Sequence, residues 1–330
     1  MSVKDLFAMA NRTSLAENTS YLGRQEKLKG VSVPVNLSFA VSDLENSILR
    51  AKNIGANIAL LSVQYNQNST DSVMTSDTGN SKLQPIIDYC NSIGIAMGIR
   101  IMLPSPSNIN PSDIVTWFTN YKQVCLDIAQ LANQNSVKYL GISNELLLMT
   151  SGNHDKWQDI YTSLKSVYPN LLLFLTMSAS EYKTCIILDL PDIIAVNLYP
   201  RITLLDTDET DENMRAAWYG NYSNVNLIDM LQKLKDTYSK PLWVTEVGCS
   251  PNNIALRDTA ASSTFSSGEY SEETQEFYYK YIFEIIWQSS NIDCMSIWGV
   301  GSIAPAKTSY TFQRTLAEQI VKKYWEGEII

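Results

Sequence analysis

The sequence is poor in histidine, and this scarcity removes several kinds of catalytic site. His154 is the only histidine. Zinc sites and Ser–His–Asp triads depend on histidine, so neither is expected unless His154 itself serves. Neither a G-x-G-x-x-G run nor a Walker A motif is present, which removes the usual nucleotide sites. Any chemistry should therefore rest mainly on carboxylates, with no metal and no cofactor.

Positive charge is also scarce. Lys and Arg number 25 against 34 Asp and Glu, which gives a net charge of −9. Such a chain repels phosphate groups, and no Lys/Arg cluster offsets the repulsion, so we expect neither nucleic acid nor an anionic membrane as a partner. No apolar run reaches the length of about 18 residues that a membrane helix needs, and the first residues lack the apolar core of a secretory signal.

Disulfide patterns are absent as well. The cysteines are odd in number and widely spaced, without a C-x-x-C pair: Cys90, Cys125, Cys185, Cys249 and Cys294. This arrangement predicts buried free thiols in a reducing compartment rather than a disulfide framework. A cytoplasmic or phage-borne protein fits that prediction, although the sequence leaves the localisation and the oligomeric state open.

What the sequence does contain is an alternation of short apolar runs and amphipathic stretches. The apolar runs predict strands over Gly30–Val35, Ala56–Gln64, Ile95–Leu103, Val137–Ser143, Leu171–Met177, Asp192–Leu198, Pro241–Thr245 and Cys294–Val300. The amphipathic stretches predict helices over Ser42–Asn53, Ser81–Ser92, Pro111–Gln134, Asp155–Ser166, Ala179–Ile187, Asn226–Ser239, Ser271–Ser289 and Phe312–Trp325. Strand–helix units in this number and order predict a parallel α/β sheet, and the length of 330 residues favours a single (β/α)8 TIM barrel. A doubly wound open sheet is the alternative.

The barrel interpretation assigns boundaries and strand faces. Residues 1–29 would form an N-terminal extension and residues 30–330 the barrel. In the third strand, Met97 and Ile99 should face the helices, while Gly98 and Arg100 should point into the barrel. Polar groups concentrate at inward positions near the C-terminal strand ends, where barrel enzymes keep their active sites.

Two glutamates at strand ends are the main catalytic candidates. Asn144-Glu145 ends the fourth predicted strand and Glu246 ends the seventh, so both carboxylates could face one cleft across the barrel mouth. Paired carboxylates suit glycosidic bond cleavage, in which one protonates the leaving oxygen and the other attacks or stabilises the anomeric carbon. The alternative for each glutamate is a solvated strand-end residue without chemistry.

Other polar and aromatic residues at strand ends are candidates for binding a substrate or supporting the glutamates. They are Arg100, Asn197, Tyr199 and Trp298, with Gln64 and Tyr65 as further candidates for sugar hydroxyls. Arg100 would act electrostatically beside Glu246, because an opposite charge favours the ionised carboxylate. The loop from Pro200 to Asn224 carries an acidic run, interpreted as solvated, and the aromatic residues Trp218, Tyr219 and Tyr222, which could line outer sugar subsites.

Several of these segments resemble a known family. GISNEL at Glu145 and PLWVTEVG at Glu246 resemble the acid/base and nucleophile motifs of clan A retaining glycoside hydrolases. Asn197-Leu198-Tyr199-Pro200 is similar to the clan's sixth-strand tyrosine segment, and Ser296-Ile297-Trp298 to its eighth-strand aromatic. Within the clan the sequence resembles glycoside hydrolase family 113, whose known members are β-1,4-mannanases, through Glu145-Leu146, Trp157, Tyr168, VNLYP, KPLWVTEVG, Gln275 and Trp287. The resemblance extends from Val137 to Trp298.

The resemblance implies retaining hydrolysis of a β-linked poly- or oligosaccharide, with endo action on a mannan-like β-1,4-glycan as the first expectation. It implies that Glu145 is the acid/base and Glu246 the nucleophile, that Tyr199 donates a hydrogen bond to the nucleophile, and that Trp298 forms the floor of the reacting sugar's subsite. Asn144 would bind the sugar 2-hydroxyl. A non-catalytic glycan-binding or structural barrel, for instance in a phage particle, is the alternative; a metal-dependent hydrolase is disfavoured by the single histidine.

Overall fold

The computed structural model describes residues 27–36, 38–202, 210–220, 225–300 and 304–327. Its strands are β1 (Leu28–Val35), β2 (Ile58–Asn66), β3 (Thr75–Ser76), β4 (Ala96–Met102), β5 (Tyr139–Asn144), β6 (Leu172–Ser178), β7 (Ile193–Leu198), β8 (Leu242–Val247) and β9 (Cys294–Trp298). Its α-helices are α1 (Val41–Asn53), α2 (Leu83–Ile93), α3 (Ile114–Gln134), α4 (Leu147–Thr150), α5 (His154–Val167), α6 (Asp211–Ala217), α7 (Leu227–Tyr238), α8 (Glu272–Tyr281) and α9 (Leu316–Trp325).

The strands close into a parallel barrel. The ladder runs β1-β2-β4-β5-β6-β7-β8-β9, and β9 pairs back to β1 with Leu28 opposite Cys294. The short β3 lies outside this ring, because it pairs only with the end of β2 and in the antiparallel sense. The predicted (β/α)8 barrel is confirmed, and the open-sheet alternative is wrong.

Two apolar cores follow from the alternation of side chains along the strands. One core fills the barrel interior and is built from large side chains such as Tyr139, Phe174 and Trp243. The other lies between the sheet and the helices and includes Met97 and Ile99, as predicted. The interior is tight: a Cβ at Gly141 would lie 2.6 Å from the Phe174 ring, so this position needs glycine.

Two predictions about helices fail in detail. The stretch predicted as a helix over Ala179–Ile187 is only a 3-10 turn, Ala179–Lys183. Directly after the turn, the N–H groups of Thr184 and Cys185 both donate to the carbonyl of Glu181, at 2.9 Å each. Helix α6 lies in the segment interpreted as a loop, where Thr210 caps its first turn by accepting from the N–H of Asn213.

The predicted N-terminal extension falls mostly outside the described residues, and the boundary at residue 29 stays a prediction. Strand β1 begins at Leu28, slightly earlier than the predicted strand at Gly30. All five cysteines are buried thiols outside any disulfide, as predicted. Among the described residues, no helix combines the length and apolar character that a membrane crossing requires.

Candidate active site

The candidate residues come together at the C-terminal rim of the barrel, where parallel strands direct their ends. Glu246 lies in β8, Glu145 directly follows β5, and Tyr199 directly follows β7. Arg100 lies in β4 and Trp298 ends β9. Strand pairing around the closed barrel therefore brings residues distant in sequence to one rim.

Glu246 is held at both carboxylate oxygens. Arg100 Nη2 lies 2.7 Å from Oε1, and the Tyr199 hydroxyl donates to Oε2 at 2.8 Å, which is the predicted hydrogen bond. Burial and the charge of Glu246 raise the pKa of Tyr199 well above its usual value, so the hydroxyl stays protonated and remains a donor. A cation on one oxygen and a donor on the other stabilise an ionised carboxylate.

Arg100 is itself fixed from several sides. Its side chain is 0% exposed, Nη2 donates to the Ser62 hydroxyl at 2.9 Å, and the guanidinium lies 5.5 Å from the centroid of the Trp298 ring. A cation over an aromatic face is attracted by the ring electrons. The side chain has no accessible surface for a sugar, so a direct substrate contact by Arg100 does not fit the structure, whereas the electrostatic interpretation beside Glu246 does.

Glu145 has a different environment. Its carboxylate Oε1 accepts from Asn197 Nδ2 at 2.9 Å, and its N–H donates to the carbonyl of Thr176 at 3.0 Å. Burial, and next the charge of Glu246, raise the pKa of Glu145 to about 7, while Asn197 and Arg100 act in the opposite direction. One carboxyl therefore stays protonated to a higher pH than usual, while the other contacts a cation and a hydrogen-bond donor. An acid and a nucleophile need such different environments.

The backbone at Glu145 is unusual. Its φ is +55°, in the left-handed region that non-glycine residues seldom adopt. Just before it, the β5–β6 register shifts between Gly141 and Ser143. Bulges of this kind change which way a strand's side chains point and are common beside active sites. After the shift Asn144 pairs with Thr176, so both Asn144 and Glu145 lie at the rim.

Of the remaining predicted binding residues, four lie at the rim or at strand ends beside it, and one does not. Asn144 and Asn197 lie at the rim but are each 2% exposed, with Asn144 Oδ1 3.5 Å from Asn197 Nδ2. Gln64 and Trp298 are partly exposed at the ends of β2 and β9. Tyr65 does not join them: it packs in the outer core, so the prediction of a sugar contact there is wrong.

The aromatic residues predicted for outer subsites also divide. Trp218 is fully buried in the outer core and cannot line a subsite. Tyr219 is exposed, and Tyr222 lies outside the described residues.

His154 begins α5 and contacts Asp189 at 3.1 Å. Within the part of the chain that the structure describes, no group of three or more His, Cys, Asp or Glu residues could hold a metal ion.

Sequence reasoning missed a third carboxyl near the rim, Glu181. It follows β6, is fully buried, and its Oε1 accepts from the N–H and the hydroxyl of Ser178 at 3.3 and 3.2 Å. Burial raises the pKa of Glu181 to about 8, and the charge of Glu145 contributes in the same direction. The signal was present: Ser178-Ala179-Ser180-Glu181 has the capping-box spacing directly after a predicted strand.

Replacing this carboxyl should stabilise the protein at alkaline pH. Between pH 4.5, the usual value, and about pH 8 the unfolded chain has ionised Glu181 while the folded protein keeps it protonated, so wild-type stability falls as pH rises through that window. Glu181→Gln keeps the acceptor for Ser178 and removes the ionisation. We expect it to be more stable than wild type by on the order of 3 kcal/mol at pH 8.5, with little difference at pH 4.

Urea unfolding of both proteins at the two pH values measures this difference. Glu326→Gln, at an exposed position, is the matched control and should show no such pH dependence. An equal stability gap at pH 4 and pH 8.5 would contradict a buried, protonated Glu181.

The closed barrel with carboxylates at its C-terminal rim is the architecture of clan A glycoside hydrolases, and the sequence identifies the group within that class. The family model for Glycoside Hydrolase Family 113 matches residues 75–307. The chain therefore belongs to glycoside hydrolase family 113, and the protein is an enzyme that hydrolyses glycosidic bonds. The non-catalytic alternative is not retained.

Solved structures share the fold at low sequence identity. A GH113 β-1,4-mannanase has a TM-score of 0.75 at 16% identity, with 92% of this chain and 99% of that chain covered. The GH113 β-mannanase AaManA from Alicyclobacillus acidocaldarius, in complex with ManMIm, gives 0.74 at 12%, with 92% and 97% covered. A GH2 β-galacturonidase from Eisenbergiella tayi gives 0.63 at 17%, with 92% and 52% covered. No curated protein matches the sequence.

Proposed function

We propose that the protein is a retaining endo-hydrolase of a β-1,4-linked, mannan-like glycan, with Glu246 as nucleophile and Glu145 as acid/base. The observation that carries the proposal is the unequal treatment of the two carboxyls. Glu246 is paired with Arg100 at 2.7 Å and with the Tyr199 hydroxyl at 2.8 Å, whereas burial raises the pKa of Glu145 to about 7. Double displacement needs this difference.

The first step forms a covalent intermediate. A carboxylate oxygen of Glu246 attacks the anomeric carbon while the bond to the leaving sugar breaks, and Glu145 gives its proton to the departing oxygen. In the second step the ionised Glu145 takes a proton from water, whose oxygen attacks the anomeric carbon and releases Glu246. The two inversions give net retention.

The substrate assignment is supported by the family and by its mannanase members among the similar structures. Those structures share the fold at 12% to 16% identity. In this chain, Asn144, Gln64 and Trp298 are proposed to contact the sugar, Trp298 by stacking beneath the ring. Asn197, which is engaged by Glu145, is proposed to act on the sugar only through that glutamate.

Product analysis tests the proposal. Purified protein is incubated with β-1,4-mannan, β-1,4-glucan and β-1,4-xylan, and early products are followed by proton NMR. We expect chain cleavage within mannan and release of the β-anomer before mutarotation. The α-anomer as first product would overturn the double displacement, and cleavage of glucan or xylan without mannan would overturn the substrate assignment.

The pH profile of kcat/KM should show an alkaline limb near pH 7. Glu145 must carry a proton to assist the leaving group, so activity is present below the pKa of about 7 and lost as pH rises through it. Initial rates between pH 4 and pH 10 measure the limb. Glu181→Gln should keep it; disappearance of the limb in that variant would assign the limb to Glu181 instead.

A further inference from the structure

Three buried side chains form a hydrogen-bonded chain beneath the barrel mouth that ends on Glu145. The hydroxyls of Thr176 in β6 and Thr245 in β8 lie 3.3 Å apart. Thr245 donates to Asn197 Oδ1 in β7 at 2.9 Å, and Asn197 Nδ2 donates to Glu145 Oε1 at 2.9 Å. Both threonines are 0% exposed, so water does not compete for these bonds.

An irregularity in β8 places Thr245 in this chain. The β7–β8 register pairs Val196 with Val244 and then Asn197 with Glu246, so Thr245 is the extra residue of a bulge. In a regular strand, neighbouring side chains point to opposite faces. Here Thr245 reaches Asn197 while Glu246 reaches Arg100 and Tyr199. One dipeptide therefore contains Glu246 and is linked to Glu145 through Asn197.

The Thr245 hydroxyl anchors the Asn197 amide on the side away from Glu145. Because this hydroxyl donates to Oδ1, the amide N–H groups face the opposite side, towards Glu145 Oε1 and Asn144 Oδ1. The reversed amide would set its carbonyl oxygen against those two acceptor oxygens. Loss of the hydroxyl would leave Asn197 Oδ1 without this donor and the amide less firmly held, which weakens the donor to Glu145.

We propose that Thr245, acting through Asn197, is a positioning residue that reserves Glu145 Oε1 as a hydrogen-bond acceptor and leaves Oε2 as the oxygen that carries the catalytic proton. This inference rests on the proposed role of Glu145 as acid/base. It assigns to the bulge residue beside the nucleophile a function in the acid/base half of the reaction.

The charges around Glu145 determine whether loss of the Thr245 hydroxyl raises or lowers the pKa of this glutamate. Glu145 faces Glu246 and Arg100 from β8 and β4, Glu181 from the turn after β6, and Tyr199 from the end of β7. Glu246 and burial favour the protonated form of Glu145, while Arg100 and the Asn197 donor favour the ionised form. Loss of the Asn197 donor should therefore raise the pKa of Glu145 and leave its carboxylate less firmly held.

The test compares Thr245→Val, which keeps the side-chain shape, with Thr245→Ser, which restores a hydroxyl. In Thr245→Val we expect the alkaline limb of kcat/KM to move up by about one pH unit, because a hydrogen bond to a charged group is worth about that much. Thr245→Ser should return the limb towards wild type. Thr274→Val, at another buried threonine in α8, is the matched control and should not move it.

A double-mutant cycle separates positioning from simple packing. If Thr245 acts through Asn197, Thr245→Val with Asn197→Ala should shift the limb no further than Asn197→Ala alone. Additive shifts would overturn the proposal, as would a Thr245→Val enzyme with a lower melting temperature but the wild-type limb. If Thr245→Val fails to fold, the Thr245→Ser and Asn197→Ala limbs decide the question: a wild-type limb in Asn197→Ala overturns it.

Failure of the proposed function would look different. If Glu145 is not the acid/base, the wild-type alkaline limb persists in Glu145→Gln assayed on an activated aryl glycoside. That result is independent of any Thr245 variant.

Discussion

Glu246→Gln is expected to lower kcat/KM on every substrate by at least about 10⁴-fold, the scale seen when a nucleophile is removed. An amide does not attack the anomeric carbon to form a glycosyl ester, so the first step is lost whatever the leaving group. Glutamine keeps an oxygen for the Tyr199 hydroxyl and fills the same space beside Arg100. Initial rates on mannan and on a dinitrophenyl β-glycoside measure the loss.

The choice of glutamine over alanine matters. Both substitutions remove the charge paired with the fully buried Arg100, and breaking a buried ion pair costs about 3 kcal/mol or more. Alanine also leaves a cavity and no polar atom beside the guanidinium, whereas glutamine keeps an amide oxygen and the side-chain volume. Lost activity would then be confused with lost folding. Glu318→Gln is the matched control, since Glu318 is also a buried carboxylate paired with an arginine, Arg50, but on α9. It should keep its activity.

Retention of dinitrophenyl release by Glu246→Gln at more than about one hundredth of the wild-type rate would contradict the assignment. The nucleophile would then be another carboxylate at the rim.

The barrel could be predicted because its pattern is local. Each strand is a short apolar run, each helix an amphipathic stretch, and their alternation requires a parallel sheet with crossovers. The strand-end glutamates were found for the same reason: the C-terminal rim follows from strand direction alone. Tyr199 beside Glu246 followed from adjacent strands and a motif at the end of one of them.

The bulges could not be predicted, and they determine the details of the site. Strict alternation puts Thr245 and Glu246 on opposite faces, yet both contact groups at the mouth because β8 carries an extra residue there. Strict alternation likewise puts Ser143 and Glu145 on one face and Asn144 on the other, whereas the register shift in β5 brings Asn144 to the rim. A bulge depends on how two strands pair, which one strand's sequence does not specify.

The burial of individual side chains was the second feature that could not be predicted from the sequence. Gln64 and Tyr65 are neighbours at the end of β2, and only one of two consecutive strand residues can face the mouth; Tyr65 faces the outer core. Trp218 was placed in a loop and therefore treated as exposed, but α6 packs it into the same core. Glu181 was missed for the opposite reason. A charged residue in a predicted helix is normally solvated, so its burial was not expected.

Glu145→Ala is expected to separate the two steps of the reaction. A dinitrophenolate leaves without protonation, so this variant should still form the glycosyl-enzyme on a dinitrophenyl β-glycoside and release a burst of dinitrophenol. Turnover should then stall, since no base activates water. On mannan, whose leaving group needs a proton, the rate should fall by about 10²- to 10⁴-fold. Alanine meets the same positive φ of +55° as glutamate, so the backbone penalty is similar.

Azide provides the decisive control. It attacks the intermediate without a base, so added azide should restore steady dinitrophenol release and yield the β-glycosyl azide, with Glu246 regenerated as the leaving carboxylate. Glu246→Gln should show neither burst nor rescue. If Glu145→Ala turns over like wild type on both substrates, the acid/base is another carboxyl, and Glu181 is the next to test because burial also raises its pKa, to about 8. An α-azide from Glu145→Ala would instead mean direct displacement, and the covalent role of Glu246 would be wrong.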